Sequence, residues 1–359
     1  MSGLTDRLDI SHDVLFVGLG MSPVCYYRAM LPAMALGADW IGLAGEPPKL
    51  RWQTGLAKDD DDIPQSAMPD MFRYKIVVLQ QPRGKGWLRL IRGLQEAGVK
   101  VVFEVDDYLH GIKHLEDHDF AEKFPNQALS EYEAAMKACD ALIASTEWIR
   151  SNYWHFNRNA YLCQNGIDLG RYNLTLPDRE KINIGWAGAT GHLKAVTPWL
   201  QQVAQAMRID PRLNFVSIGQ NFANGFKPHF GEERSVCVPW AAIEQYPSAM
   251  TMFDIALAPG GPGGWWRGKS DLRWLEAGAL GIPIIANPRV YPEIEDGVTG
   301  MIARSPNEVM EKLWVLVNDE GLRREIGENA RKHVRENRTM TKMREQWVTA
   351  FEEIVGASS

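Results

Sequence analysis

Short apolar runs and longer amphipathic stretches alternate along the whole of this chain. In the first half, runs of strand length read DVLFVGL (13–19), DWIGLAG (39–45), YKIVVLQQ (74–81), KVVFEVDD (100–107), ALIAS (141–145) and AYLCQN (160–165). Stretches with helical spacing, such as GWLRLIRGLQEAG and SEYEAAMKACD, separate most of them. Continuous apolar strands divided by helices predict a parallel sheet covered on both faces. After the polar, proline-containing stretch DLGRYNLTLPDREK the rhythm restarts with INIGWAG (182–188), LNFVSIG (213–219), SVCVPW (235–240), DIALAP (254–259), IPIIANP (282–288) and TGMIAR (299–304). From Ser305 onward the pattern is almost wholly helical. The α/β pattern thus predicts two doubly wound, Rossmann-like domains facing a cleft, residues 1–172 and 173–335, with a C-terminal helix at 336–359 returning to the first. Ligands of such sheets bind at the carboxyl ends of strands, so the cleft is the expected site.

A length of 359 residues, 45% hydrophobic and 23% charged, suits two soluble globular domains. The net charge of -6 argues against nonspecific nucleic-acid binding, which relies on a basic surface. No charged start followed by an apolar run marks a secretory signal, and no apolar run is long enough to span a bilayer. The expected location is cytoplasmic. Cys25, Cys139, Cys163 and Cys237 lie far apart without CxxC pairing, which suits reduced thiols and offers no zinc framework. The acidic stretch KDDDDIPQSAMPD (58–70) reads as a solvated loop, or else as an acidic site.

The segment GWWRGKSDLRWLEAGALGIP (264–283) carries the sharpest chemistry. At helical spacing Leu272, Leu275, Ala279 and Leu280 form one stripe, and Glu276 falls on that stripe where an apolar residue belongs. A carboxylate in such a place needs a partner. Glycines before the helix let backbone approach a ligand, Ser270 reads as its N-cap, and the free amides of a helix amino end attract phosphate. Arg267 and Lys269 add positive charge there. A diphosphate fits that end, and Glu276, about two turns further in, could accept hydrogen bonds from ribose hydroxyls or pair with Arg273. Trp265 and Trp266 either anchor the loop or lay one ring against a ligand.

The first half is less specific. Gly18-x-Gly20 forms a turn after the first strand, but Pro23 at the third glycine position breaks a dinucleotide fingerprint. FEVDD (103–107) ends a buried strand with Glu104, Asp106 and Asp107. His110, His114 and His118 recur every four residues, a spacing that suits a metal only on a clean helix, and Gly111 counts against one. In RGKGWLRLIRG (83–93), Arg83, Lys85, Arg89 and Arg92 surround apolar residues; the segment packs on the sheet or docks an anionic acceptor or membrane surface.

KSDLRWLEAGALGIPIIA resembles the donor-binding motif of GT-B glycosyltransferases of the family-4-like, retaining group, similar to short phage or bacterial surface-polysaccharide enzymes. CQNGID (163–168), IGWAGATGHLK (184–194), YPSAMTMFDIALAP (246–259) and PEIEDGVTGMIA (292–303) resemble other segments of that group in the same order. The resemblance implies a hexosyltransferase that uses a nucleoside diphosphate sugar, of UDP or GDP type, with no permanently bound cofactor and no metal. It implies a donor site of Gly18, Gly20, Gly188, His192, Lys194, Arg267, Ser270, Arg273 and Glu276. Lys269 would act on the leaving diphosphate, and Asp106 or Asp107 would contact the sugar or the acceptor, with helix capping as the other reading. It further implies retention at the anomeric carbon. Two positions depart from the group: Gly268 stands where many members carry a second glutamate, and Lys194, beside His192, is all that represents an expected basic residue. The acceptor stays open among protein, glycan, lipid carrier and modified DNA base. Rival readings are a nucleotide-sugar 2-epimerase of the same fold, a non-catalytic sugar-binding protein, and a metal-dependent transferase in which EVDD imitates a DxD pair.

Overall fold

The computed structural model describes residues 8–20, 22–43, 71–114, 126–189 and 193–356. The acidic stretch 58–70, His118 and His192 lie outside them. The chain forms two compact units, one made of Met1–His110, Lys123–Gly166 and Met340–Ser359, the other of Gly111–Glu122 and Ile167–Thr339.

All twelve apolar runs are strands. In the first unit β1 (Val14–Leu19), β2 (Asp39–Leu43), β3 (Ile76–Gln80), β4 (Lys100–Val105), β5 (Ala141–Ala144) and β6 (Ala160–Leu162) lie in the order β2-β1-β3-β4-β5-β6. In the second, β7 (Ile182–Gly188), β8 (Leu213–Gly219), β9 (Ser235–Val238), β10 (Ile255–Ala258), β11 (Ile284–Ala286) and β12 (Met301–Ile302) lie in the order β12-β11-β10-β7-β8-β9. Every neighbouring pair is parallel. The strand order reverses between β1 and β3 in one sheet and between β7 and β10 in the other, and such reversals open a crevice at the carboxyl ends.

The first unit closes with the last helix of the chain, Met340–Gly356, whose Trp347 and Phe351 rings stand 5.3 and 5.9 Å from Phe16 of β1. A helical run over 23–36 covers the same sheet, with a π-helical turn at Tyr26–Met30. Arg28 on that turn is buried, and its Nε donates to Glu104 of β4 at 2.6 Å. Its Nη1 donates to the Cys163 carbonyl at 2.7 Å and to Asn165 Oδ1 at 2.9 Å. Burial pushes the Glu104 carboxyl up from its ordinary range, and the Arg28 guanidinium opposes that rise. The Lys85–Glu96 helix buries Trp87, Ile91 and Leu94 while Lys85, Arg89 and Arg92 face solvent, so its apolar side packs inward.

In the second unit Trp186, Phe215, Val203 and Leu313 belong to one continuous core. Among the described residues no helix is long and apolar enough to cross a membrane.

Candidate functional site

The loop after β10 is built around its own tryptophans. A side chain at Gly261 would collide with the Trp266 indole, and Gly263, at φ +92°, opens the short turn Gly264–Arg267. Trp265 and Trp266 are both buried, so they anchor the loop, and the reading in which one lies open to a ligand is corrected. Lys269 Nζ stands 3.8 Å from the centre of the Trp265 ring, a cation–π contact that holds the ammonium, while Arg267 is exposed.

The helix that follows spans Leu272–Leu280, and its N-cap is Asp271, one residue beyond the expected Ser270. The cap makes no side-chain bond to the helix amides. Arg338 draws the Asp271 carboxylate away, with Nη1 at 2.6 Å from Oδ2 and Nη2 at 3.1 Å from Oδ1. Nη1 of the same guanidinium also reaches Glu293 at 2.8 Å. Burial pushes the Asp271 carboxyl up, with Arg338 pulling against it. The expected apolar stripe is also too narrow. Leu272 is half-buried, whereas every residue from Trp274 to Leu280 is buried, because the helix packs against both β10–β11 and the Glu320–Asn337 helix. Gly278 permits that close approach, since a Cβ there would lie 3.2 Å from Val334.

Glu276 is 6% exposed and accepts a hydrogen bond from the Tyr246 hydroxyl at 3.3 Å. Burial first, and the Glu276 charge second, push the Tyr246 phenol far above its ordinary range, so it stays a donor. Burial likewise lifts Tyr291 to about 12, against the lowering pull of Arg273. The Arg273 guanidinium stands 5.4 Å from the Trp186 ring, and a side chain at Gly188 would meet its Nη2 at 2.5 Å. Arg273 therefore reaches the end of β7 as well as the surroundings of Tyr246 and Tyr291, which Glu276 shares. Lys194 is exposed in the first turn of the Leu193–Ile209 helix.

In the first unit Gly18 lies inside β1 rather than in the turn after it, and the space of its missing side chain is filled by Cys25 Sγ. Its place is thereby corrected from ligand loop to packing. Gly20, at φ +67°, makes the turn. Asp106 and Asp107 follow β4 directly. The Gln81 side-chain amide donates to Asp106 Oδ1, and the Ser145 hydroxyl donates to the Asp106 backbone carbonyl at 3.2 Å. His110 bonds Tyr153 Oη at 3.1 Å and Glu133 at 3.0 Å. Among the described residues no group of three or more His, Cys, Asp or Glu is placed to hold a metal ion.

Sequence reasoning missed Tyr246, Arg338, Gln81 and Trp240. The first three act on residues 25 to 67 positions away, which no local spacing reveals. Trp240 reads as the end of a strand, but β9 stops at Val238 and leaves the indole 63% exposed beside Gly219, the carboxyl-terminal residue of β8.

Residues 197–349 match the model of a family described as glycosyl transferase-like. No curated protein matches the chain by sequence. Solved structures do resemble it. The Anabaena protein Alr3699/HepE, crystallised with UDP-glucose, is 14% identical with a TM-score of 0.68, over 95% of this chain and 99% of that one. Sucrose-phosphate synthase from Thermosynechococcus elongatus is 12% identical with a TM-score of 0.66, over 96% and 100%. A glycosyltransferase from Rickettsia africae is 15% identical with a TM-score of 0.65, over 96% and 98%. The glycosyl transferase-like match lies within the second unit and the last helix, and the two parallel sheets share the GT-B fold of these solved structures.

Proposed function

We propose that the protein moves a sugar from a nucleoside diphosphate sugar, of UDP type as in the HepE complex, to an acceptor hydroxyl with retention of configuration. One observation carries the reading: a buried carboxylate, Glu276, sits in the helix that follows the β10 loop, with cationic Lys269 and Arg267 before its amino end. In this reading Glu276 accepts the two ribose hydroxyls. The amides after Ser270 and the Lys269 ammonium take the diphosphate. As the bond from the anomeric carbon to the phosphate oxygen breaks, negative charge grows on the leaving group, and Lys269 and Arg267 stabilise it. The acceptor oxygen attacks the same face and gives its proton to the departing phosphate. Arg273, Gly188 and Gly20 support the donor, Lys194 and His192 assist at the phosphates, and Asp106 and Asp107 contact the sugar or acceptor. Gly18 supports the site only through packing.

The acceptor class stays among protein, glycan, lipid carrier and modified DNA base, in the cytoplasm or at a membrane surface. Thermal stabilisation across a panel of nucleotide sugars, followed by UDP release on adding candidate acceptors, tests the assignment. Consumption of the donor to an epimer without acceptor would establish the epimerase instead.

Two further outcomes are expected. Lys269→Ala lowers turnover about tenfold to thirtyfold while donor Kd moves less than threefold, because the charge it meets develops in the transition state. Equal losses in both would mark Lys269 as a ground-state contact. The exposed Trp240 ring offers a stacking face for the base, so Trp240→Ala raises the UDP Kd about fivefold to tenfold. Unchanged affinity removes that contact.

A further inference from the structure

Gln81 is the one non-glycine residue with positive φ among the described residues, at +46°. A side chain in this region is uncommon and costs energy. The cost is compounded because Pro82 follows, and proline pushes the residue before it toward extended backbone. Such a conformation persists where the surroundings over-determine it. Here the Gln81 N–H donates to the Glu104 carbonyl of β4 at 2.9 Å, and the side-chain amide donates to Asp106 Oδ1. Gln80, just before it, accepts the Leu19 N–H at the end of β1 at 2.9 Å. The end of β3 is thus tied to β1 on one side and β4 on the other, at the reversal of strand order where ligands bind.

The backbone of Asp106 has its own clamp. Ser145, at the end of β5, holds the Asp106 carbonyl. The bond to Glu104 continues the β3–β4 ladder and does not depend on the φ of Gln81, whereas the direction of the side chain does, so the positive φ is what aims the amide at the carboxylate.

We infer that Gln81 is a positioning residue for Asp106: its left-handed backbone aims a neutral amide donor that fixes the Asp106 carboxylate in the orientation that meets the sugar or acceptor. This rests on the role proposed for Asp106 above. Precise orientation of a reacting or binding group governs turnover more than affinity.

The test compares Gln81→Gly, Gln81→Glu and Asp106→Ala in the full chain, reading UDP release from the donor chosen by the panel, the UDP Kd and the thermal midpoint. Glycine accepts positive φ without strain. The Gly variant is therefore expected to hold or raise the midpoint, keep the UDP Kd, and lose about tenfold in the rate of UDP release. The Glu variant keeps the shape but cannot donate, and it is expected to lose at least as much. A Gly variant with the wild-type rate beside an impaired Asp106→Ala overturns the positioning role alone. Wild-type rates in Asp106→Ala overturn the reading of Asp106 and this inference with it.

Discussion

Replacing Glu276 with alanine is expected to raise the UDP Kd about a hundredfold, measured by calorimetric titration, since a hydrogen bond to a charged group contributes about 1.5 to 3 kcal/mol and 1.4 kcal/mol is tenfold. Two ribose hydroxyls would lose their acceptor at once. The carboxylate is 6% exposed, so water does not stand in for it easily. The loss also strands the Tyr246 hydroxyl, which now donates to Glu276 at 3.3 Å. Stability should fall by about 1 to 3 kcal/mol on that account, with the far-UV spectrum unchanged at 25 °C. Glu276→Gln retains an acceptor oxygen for both partners and is expected to lose only about tenfold in affinity. Wild-type affinity in the alanine variant removes the ribose contact and the donor site built on it.

Arg28→Met should cost the first unit about 3 to 5 kcal/mol, because removing one partner leaves a buried charge uncompensated. Arg28 and Glu104 side chains are 1% and 0% exposed. No solvent reaches the carboxylate left behind. The pH dependence follows from the direction in which Glu104 is displaced. Its folded pKa lies above the ordinary value of 4.5, and without Arg28 it rises further. A raised acid favours folding below its unfolded pKa and loses that contribution as pH climbs through the folded pKa. The deficit of Arg28→Met relative to the unaltered protein should therefore be largest at neutral pH and shrink as pH falls toward 4.5. Urea unfolding at a series of pH values reads this directly. Arg28→Met with Glu104→Gln together should recover most of the loss, and a double variant as unstable as the single one would show that packing, not charge, is at stake.

The periodicity of the chain foretold the sheets well because both are parallel and buried. INIGWAG and LNFVSIG are strands over their full length, and each ends on a glycine with positive φ. Shorter runs were trimmed where a proline or asparagine follows, as in IPIIANP, which pairs only over Ile284–Ala286. The unusual carboxylate of Glu276 was legible for the same reason, as a charge standing on the apolar stripe of its helix. Its partner was not, since Tyr246 lies 30 residues upstream. Nothing in the local spacing of YYRAM marks Arg28, and only the fold brings it to Glu104, 76 positions on. The start of the donor helix shows the limit of local rules most clearly. Ser270 and Asp271 are both good caps by type, and the choice falls on the residue whose side chain a distant arginine has already claimed.

The seating of Trp347 and Phe351 on Phe16 bears on how this chain emerges from a ribosome. At about 5 to 20 residues per second, the stretch from Gly166 to Met340 takes roughly 9 to 35 s to synthesise. For that interval β1 waits with one apolar face uncovered while all of Ile167–Thr339 is made and free to fold. The earlier-translated half is thus the later to be sealed, and a nascent chain stalled before Trp347 would present that bare face to chaperones.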